Sequence, residues 1–136
     1  MRIIRPDKMD ARTEYRVRQQ QRVSDSVPLS DKFPQLKSLS LDLGHYDSVG
    51  LSRSSQMKYT LNLKHARSLF RIDCSNPECV RGDFDLSDQI DHAVAQRREE
   101  VTGEIRCGGW LSKTTVDQVR CGKILRYRLT LEYDEE

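Results

Sequence analysis

Four cysteines are the side chains of this chain best suited to chemistry, and they fall in two unequal pairs. Cys74-Ser-Asn-Pro-Glu-Cys79 is a tight pair, and Cys107 and Cys121 are separated by 13 residues. Four thiolates close a tetrahedral zinc site, and a site with no open position is structural rather than catalytic. The spacing therefore predicts Zn²⁺ held by Cys74, Cys79, Cys107 and Cys121. Asn76-Pro77 supplies the sharp turn the first pair needs, because proline fixes one dihedral and asparagine tolerates unusual ones. Gly108 and Gly122 directly follow the second pair. Glycine there permits positive φ and lets backbone N–H groups approach sulfur. The thiols have other possible uses: unmetallated small hydrophobes, or disulfides and redox-switching pairs. None of the usual iron–sulfur spacings occurs. Arg71, Arg81, Arg106 and Arg120 lie near the cysteines in sequence. They could offset the net charge of −2 left by four thiolates on Zn²⁺.

No enzymatic constellation accompanies the cysteines. His45, His65 and His92 are scattered and form no ligand spacing with the thiols. No nucleophile motif or phosphate-cradling glycine loop is present. Gly108-Gly109-Trp110 reads as a turn followed by a packed aromatic. Asp83, Asp85, Asp88 and Asp91 lack the glycine and terminal glutamate of a calcium loop, and the charge preference of a helix N-terminus accounts for them better.

The elements that must position the cysteines show two periodicities. Leu39, Leu41 and Leu43 alternate with polar residues, as do Met57, Tyr59, Leu61 and Leu63, and then Phe70 and Ile72. Such alternation marks half-buried strands. A connection at Lys64–Arg67 would join the second and third segments as a hairpin. Gly44 to Gln56 reads as a polar, mobile loop. The clearest strand is the last, with Leu125, Tyr127, Leu129, Leu131 and Tyr133 on one side. Leu86, Ile90, Ala93, Val94 and Val101 instead follow a helical stripe, with Asp85 or Ser87 as cap and Gly103 as stop. Strand then resumes over Glu104–Cys107. The expected architecture is α+β: an antiparallel sheet of about five strands, one packed helix across its leucine and tyrosine face, and a four-cysteine end.

At 136 residues, with 32% charged side chains and a mean hydropathy of −0.73, the chain suits one domain with a loose arm. No stretch is apolar enough for a membrane helix, and the start of the chain lacks a signal peptide's apolar region. A cytoplasmic location follows as an expectation, and reduced thiols there favour metal over disulfide. Net charge is only +2, but residues 1–22 carry seven basic against three acidic side chains, leaving −2 for the remainder. Residues 1–30 read as a basic N-terminal arm or docking segment, with a short helix over 10–22 and a single turn near Ser30, and 31–136 as the zinc-binding domain. Lys58, Lys64, Arg71, Arg106, Arg126 and Arg128 could share one strand face, interspersed with Asp42, Asp73, Glu104 and Glu132.

The run of strand, knuckle, excursion and hairpin over residues 67–133 resembles the zinc-ribbon group of four-cysteine domains. It departs from the usual ribbon through a helix inserted between the ligand pairs and an opened second knuckle. The cysteine layout is also similar to that of uncharacterised bacterial proteins, a likeness that brings no activity with it. The ribbon resemblance implies a non-enzymatic adaptor contacting a protein or nucleic-acid partner. A redox-sensing thiol protein and a sequence-independent nucleic-acid binder using the arm are the alternatives.

Overall fold

The computed structural model describes residues 11–111 and 119–134. The first ten residues of the basic arm and most of the excursion between Trp110 and Arg120 lie outside the described residues. The described chain is α+β. Helices α1 (Ala11–Asp25) and α2 (Leu29–Lys32) are followed by β1 (Leu36–Tyr46), β2 (Arg53–Thr60), β3 (Arg71–Asp73), β4 (Cys79–Val80) and β5 (Asp83–Asp85). Helix α3 (Ser87–Ala95) precedes β6 (Glu100–Arg106), β7 (Trp110–Leu111) and β8 (Ile124–Tyr133). The main sheet is antiparallel and four-stranded, in the order β2-β1-β8-β6, with two small ribbons, β3-β5 and β4-β7, beside it.

The two central strands carry the strongest alternation because each is flanked on both sides. Leu39 faces Leu131 and Leu41 faces Leu129, and Val101 and Ile105 of β6 face Leu129 and Leu125. Leu39, Leu41, Leu43, Leu125, Leu129 and Leu131 are buried, each stabilising the fold by about 1.5–3 kcal/mol. The core cluster on this face also takes in Leu29, Phe33, Phe84, Leu86 and the α3 residues Ile90, Ala93 and Val94. Tyr133 fastens the end of α3 to the sheet, its hydroxyl donating to the carbonyls of Ala93 and Arg98.

Three expectations are corrected. Met57–Leu63 does not pair with Leu69–Cys74. Strand β2 folds back on β1, Leu43 facing Met57, and β3 pairs with β5. The stretch Gly44–Gln56 is mostly strand, leaving only residues 47–52 as the connection. Helix α3 ends at Ala95 rather than near Val101. Its stop is Arg97 at φ 49°, with Arg97 N–H donating to Val94 O and Arg98 N–H to Ala93 O. These two bonds form the Schellman arrangement, usually built on glycine. Gly103 lies inside β6 opposite Tyr127, and a Cβ there would strike the Tyr127 ring and hydroxyl.

The last residues of the 1–30 segment belong to the core: Leu29 is fully buried. Leu29 N–H donates to Ala66 O, Ser30 N–H to Leu63 O and Ser68 N–H to Val27 O. Residues 63–68 are thus stitched to the end of the arm, in the place where a hairpin connection was expected.

Candidate metal centre

The two ligand pairs arrive from different elements. Cys74 directly follows β3 and Cys79 opens β4, so the chain between them leaves one strand of the β3–β5 ribbon and re-enters through β4. Cys107 directly follows β6, and Cys121 precedes β8. Because β6 and β8 are paired, with Cys107 N–H donating to Lys123 O at 2.7 Å, both sulfurs stand at the mouth of one hairpin. Pairing of Cys79 with Leu111 and of Val80 with Trp110 brings the halves together. The Cys121 N–H donates to Gly109 O at 2.8 Å and closes the end.

All four sulfurs converge. The ligand atoms of Cys74, Cys79, Cys107 and Cys121 lie within 4.8 Å of one another, and all four residues are buried. Cys74 and Cys121 are 3.6 Å apart at sulfur, as are Cys79 and Cys107. Sulfurs about 2.3 Å from a tetrahedrally bound ion stand about 3.8 Å from each other, whereas a disulfide needs about 2.05 Å. The four thiols are free. The arrangement can hold a metal ion with no position left open.

The local backbone is built around the sulfurs. Asn76 accepts the Glu78 N–H on its side-chain oxygen at 3.0 Å and the Cys79 N–H on its carbonyl at 3.1 Å. Its own N–H donates to the Cys74 sulfur, and its side-chain nitrogen stands 3.7 Å from the Cys121 sulfur. Gly109 N–H donates to the Cys107 sulfur at 3.4 Å. The leading cysteine of each pair therefore receives an N–H from two residues on, which favours the charged thiolate. Of the two glycines singled out by the sequence, Gly122 adopts positive φ, while a Cβ on Gly108 would meet nothing nearer than Arg120 at 3.7 Å. The glycines pressed against sulfur are two others. A Cβ on Gly82 would collide with the Cys79 and Cys107 sulfurs, and one on Gly109 with the Cys79 sulfur and Val80 O. Gly82 follows Cys79 by three residues and Gly109 is the second glycine after Cys107. That proximity was the only signal for them in the sequence.

Without a cation the cluster is unfavourable to thiolates. A hydrogen bond with Cys107 and then burial push the Cys74 thiol up, and burial followed by the charge of Cys74 does the same to Cys79. A divalent ion reverses this balance, since coordinating thiols are deprotonated outright.

Three of the nearby arginines, Arg71, Arg106 and Arg120, are engaged with groups other than sulfur. Arg71 binds Asp83 at 2.6 Å and Asp73 at 2.7 Å. Arg106 donates to the carbonyls of Ser48 and Gly122. Arg120 donates to Gly108 O and stacks on Trp110 at 4.1 Å. They clamp the backbone on either side of the ligands. Helix α1 also touches β4, and the Tyr15 hydroxyl donates to Asp83 at 3.1 Å. No spacing or motif in the chain signals this tie between the arm and the metal end. His45 is buried against Phe84, His65 and His92 are exposed, and none belongs to the cluster. Asp83 is held by Arg71 and Tyr15, and Asp85 accepts the Ser87 N–H at the start of α3.

The cationic strand face is only partly assembled. Lys58, Arg126 and Arg128 share the outer face of the main sheet, and Arg106 lies at its β6 edge. Lys64 lies outside the four strands, and Arg71 is on β3. On the outer face Lys58 pairs with Asp42, Arg126 with Glu104 and Arg128 with Glu100. No helix among the described residues is long and apolar enough to cross a membrane. Comparison with protein-family models, curated proteins and solved structures gave no match.

Proposed function

We propose that this chain is a non-enzymatic adaptor whose four-cysteine end is clamped by one structural Zn²⁺, working in a reducing, cytoplasmic compartment. The observation that carries the reading is the closed cluster of four buried sulfurs at tetrahedral separations, each pair drawn from a different hairpin. A site with four protein ligands leaves no position for substrate or water, which supports a structural ion over a catalytic one. Binding energy in such a site is folding energy. The Zn²⁺ then stabilises the junction of β4 with β7 and of β6 with β8.

The contact element is the N-terminal arm together with α1, which presents Arg18 and Arg22 on its exposed side. A protein partner is favoured over nucleic acid, because Lys58, Arg126 and Arg128 of the outer sheet face are each answered by an acid, which reduces the net charge with which that face could track phosphates. The test is elemental analysis of native protein with thiol counts before and after chelation, followed by partner capture at rising salt. One zinc per chain, thiols reactive only after chelation, and partner binding that survives moderate salt are expected. Absent metal refutes the structural reading, and binding that falls steeply with salt transfers the adaptor to nucleic acid.

A further inference from the structure

We propose that the chain self-associates through β2, the edge of the main sheet, which joins the same strand of a second copy to make one continuous antiparallel sheet. Strand β2 is one of the two terminal strands in the order β2-β1-β8-β6, and the one whose side chains are exposed almost throughout. It is exposed at every position except Tyr59. The direction of its free backbone groups follows from one bond. Leu61 N–H donates to Leu39 O, so the alternation of an antiparallel ladder turns the amides of Ser55, Met57 and Tyr59 toward β1. Those of Gln56, Lys58 and Thr60 point outward, and a register shift opposite His45 and Tyr46 ends the simple alternation at Ser55. Eight residues of strand with no proline offer an open template for another strand.

The side chains select a second copy in one register. Identical strands meeting about a twofold axis pair residues on the same face of the sheet. Setting Met57 opposite its counterpart places Gln56 against Lys58 and Ser55 against Tyr59. No like charges meet. Met57, half exposed in the single chain, is then covered where opposed side chains approach most closely, since it forms a pair without mutual hydrogen bonds. A shift of two residues one way sets Lys58 against Lys58. A shift the other way leaves Met57 against Ser55. Charge and apolar coverage therefore favour the same register. A single pair of strands is a small interface, so the association is concentration-dependent and reversible.

The test is sedimentation equilibrium of the full chain from micromolar to near-millimolar concentration, with residue-resolved amide exchange at both limits. Mass should rise toward twice the monomer's, and Gln56, Lys58 and Thr60 amides should gain protection with concentration. Ser55, Met57 and Tyr59 should be protected throughout. Gln56→Pro removes an outward N–H while leaving the backbone bonds to β1 intact; it also removes the exposed side-chain bonds to Asp42 and Arg53, and should weaken association at least about tenfold with only a small change in the melting curve. Met57→Lys should do the same through facing charges. A chain that stays monomeric throughout overturns the proposal, leaving the edge for a strand of another protein. So does a dimer in which the outward amides keep exchanging freely. The wild-type exchange pattern decides the matter even if either variant misfolds.

Discussion

Gly82→Ala is the sharpest single perturbation of the metal centre, because it alters no thiol. Gly82 has no positive φ, so alanine is acceptable to the backbone and the effect is steric. The added Cβ would stand 2.6 Å from the Cys107 sulfur and closer still to that of Cys79. An ordinary contact begins at 3.4 Å, so the Cys107 sulfur must retreat by about 0.8 Å, whereas bound ligands tolerate displacements of about 0.2 Å. Structural zinc binds with roughly 10–16 kcal/mol, or about 2.5–4 kcal/mol for each of four ligands. Displacing one sulfur therefore costs about two to three orders of magnitude in affinity. Competition against a chromophoric chelator reads the affinity, and thermal melting reads the coupled loss of stability. Gly108→Ala is the control, since its Cβ finds open space, and it should bind metal like the parent. A Gly82→Ala protein with undiminished affinity would mean that Gly82 does not press on the ligand sulfurs.

Asn76→Asp should retain the turn at Glu78 but lose the amide donor beside Cys121 and set a carboxylate near the sulfur; a chelator titration should show weaker metal binding with a smaller change in melting of the metal-free chain. Tyr15→Phe removes the bond between α1 and Asp83, a loss of about 0.5–1.5 kcal/mol readable by urea denaturation. Burial, and then Asp83, push the Tyr15 hydroxyl up to about 12. Folding thus favours its protonated form, and that stabilisation should fade between pH 10 and 12, as followed by tyrosinate absorbance. His45 is buried with Nδ1 lacking a hydrogen-bond partner among the described residues. Burial, and then Lys123, hold it below the usual histidine range. The unfolded chain therefore binds the extra proton first, and stability should fall as pH drops below about 6.5, by at most about 1.4 kcal/mol per pH unit. His45→Leu should remove that component of the slope in parallel denaturation series.

The sequence disclosed most where a residue's surroundings are one-sided. The leucines of β1 and β8 alternate because those strands are central and have one buried face, and the cysteines stand out because few residue types can replace them. Partner choice was less legible. Alternation tells which face is buried but not which strand lies beside it, so β2 was joined to β3 in place of β1. Arg53-Ser54-Ser55-Gln56 resembled loop because an edge strand open on both faces has no apolar alternation to show. The stop of α3 was hidden for a related reason: its left-handed residue is Arg97, where glycine is the usual marker. Gly82 and Gly109 serve the sulfurs by close approach, a demand visible only once the two hairpins are brought together.

X-ray absorption at the zinc edge of protein purified without added metal reads the ligand shell itself. One zinc per chain in a shell of four sulfurs at about 2.3 Å is expected, lost from that geometry in Cys107→Ser. Nitrogen or oxygen in place of a sulfur, a shell of fewer than four sulfurs, or native protein carrying no metal would contradict it.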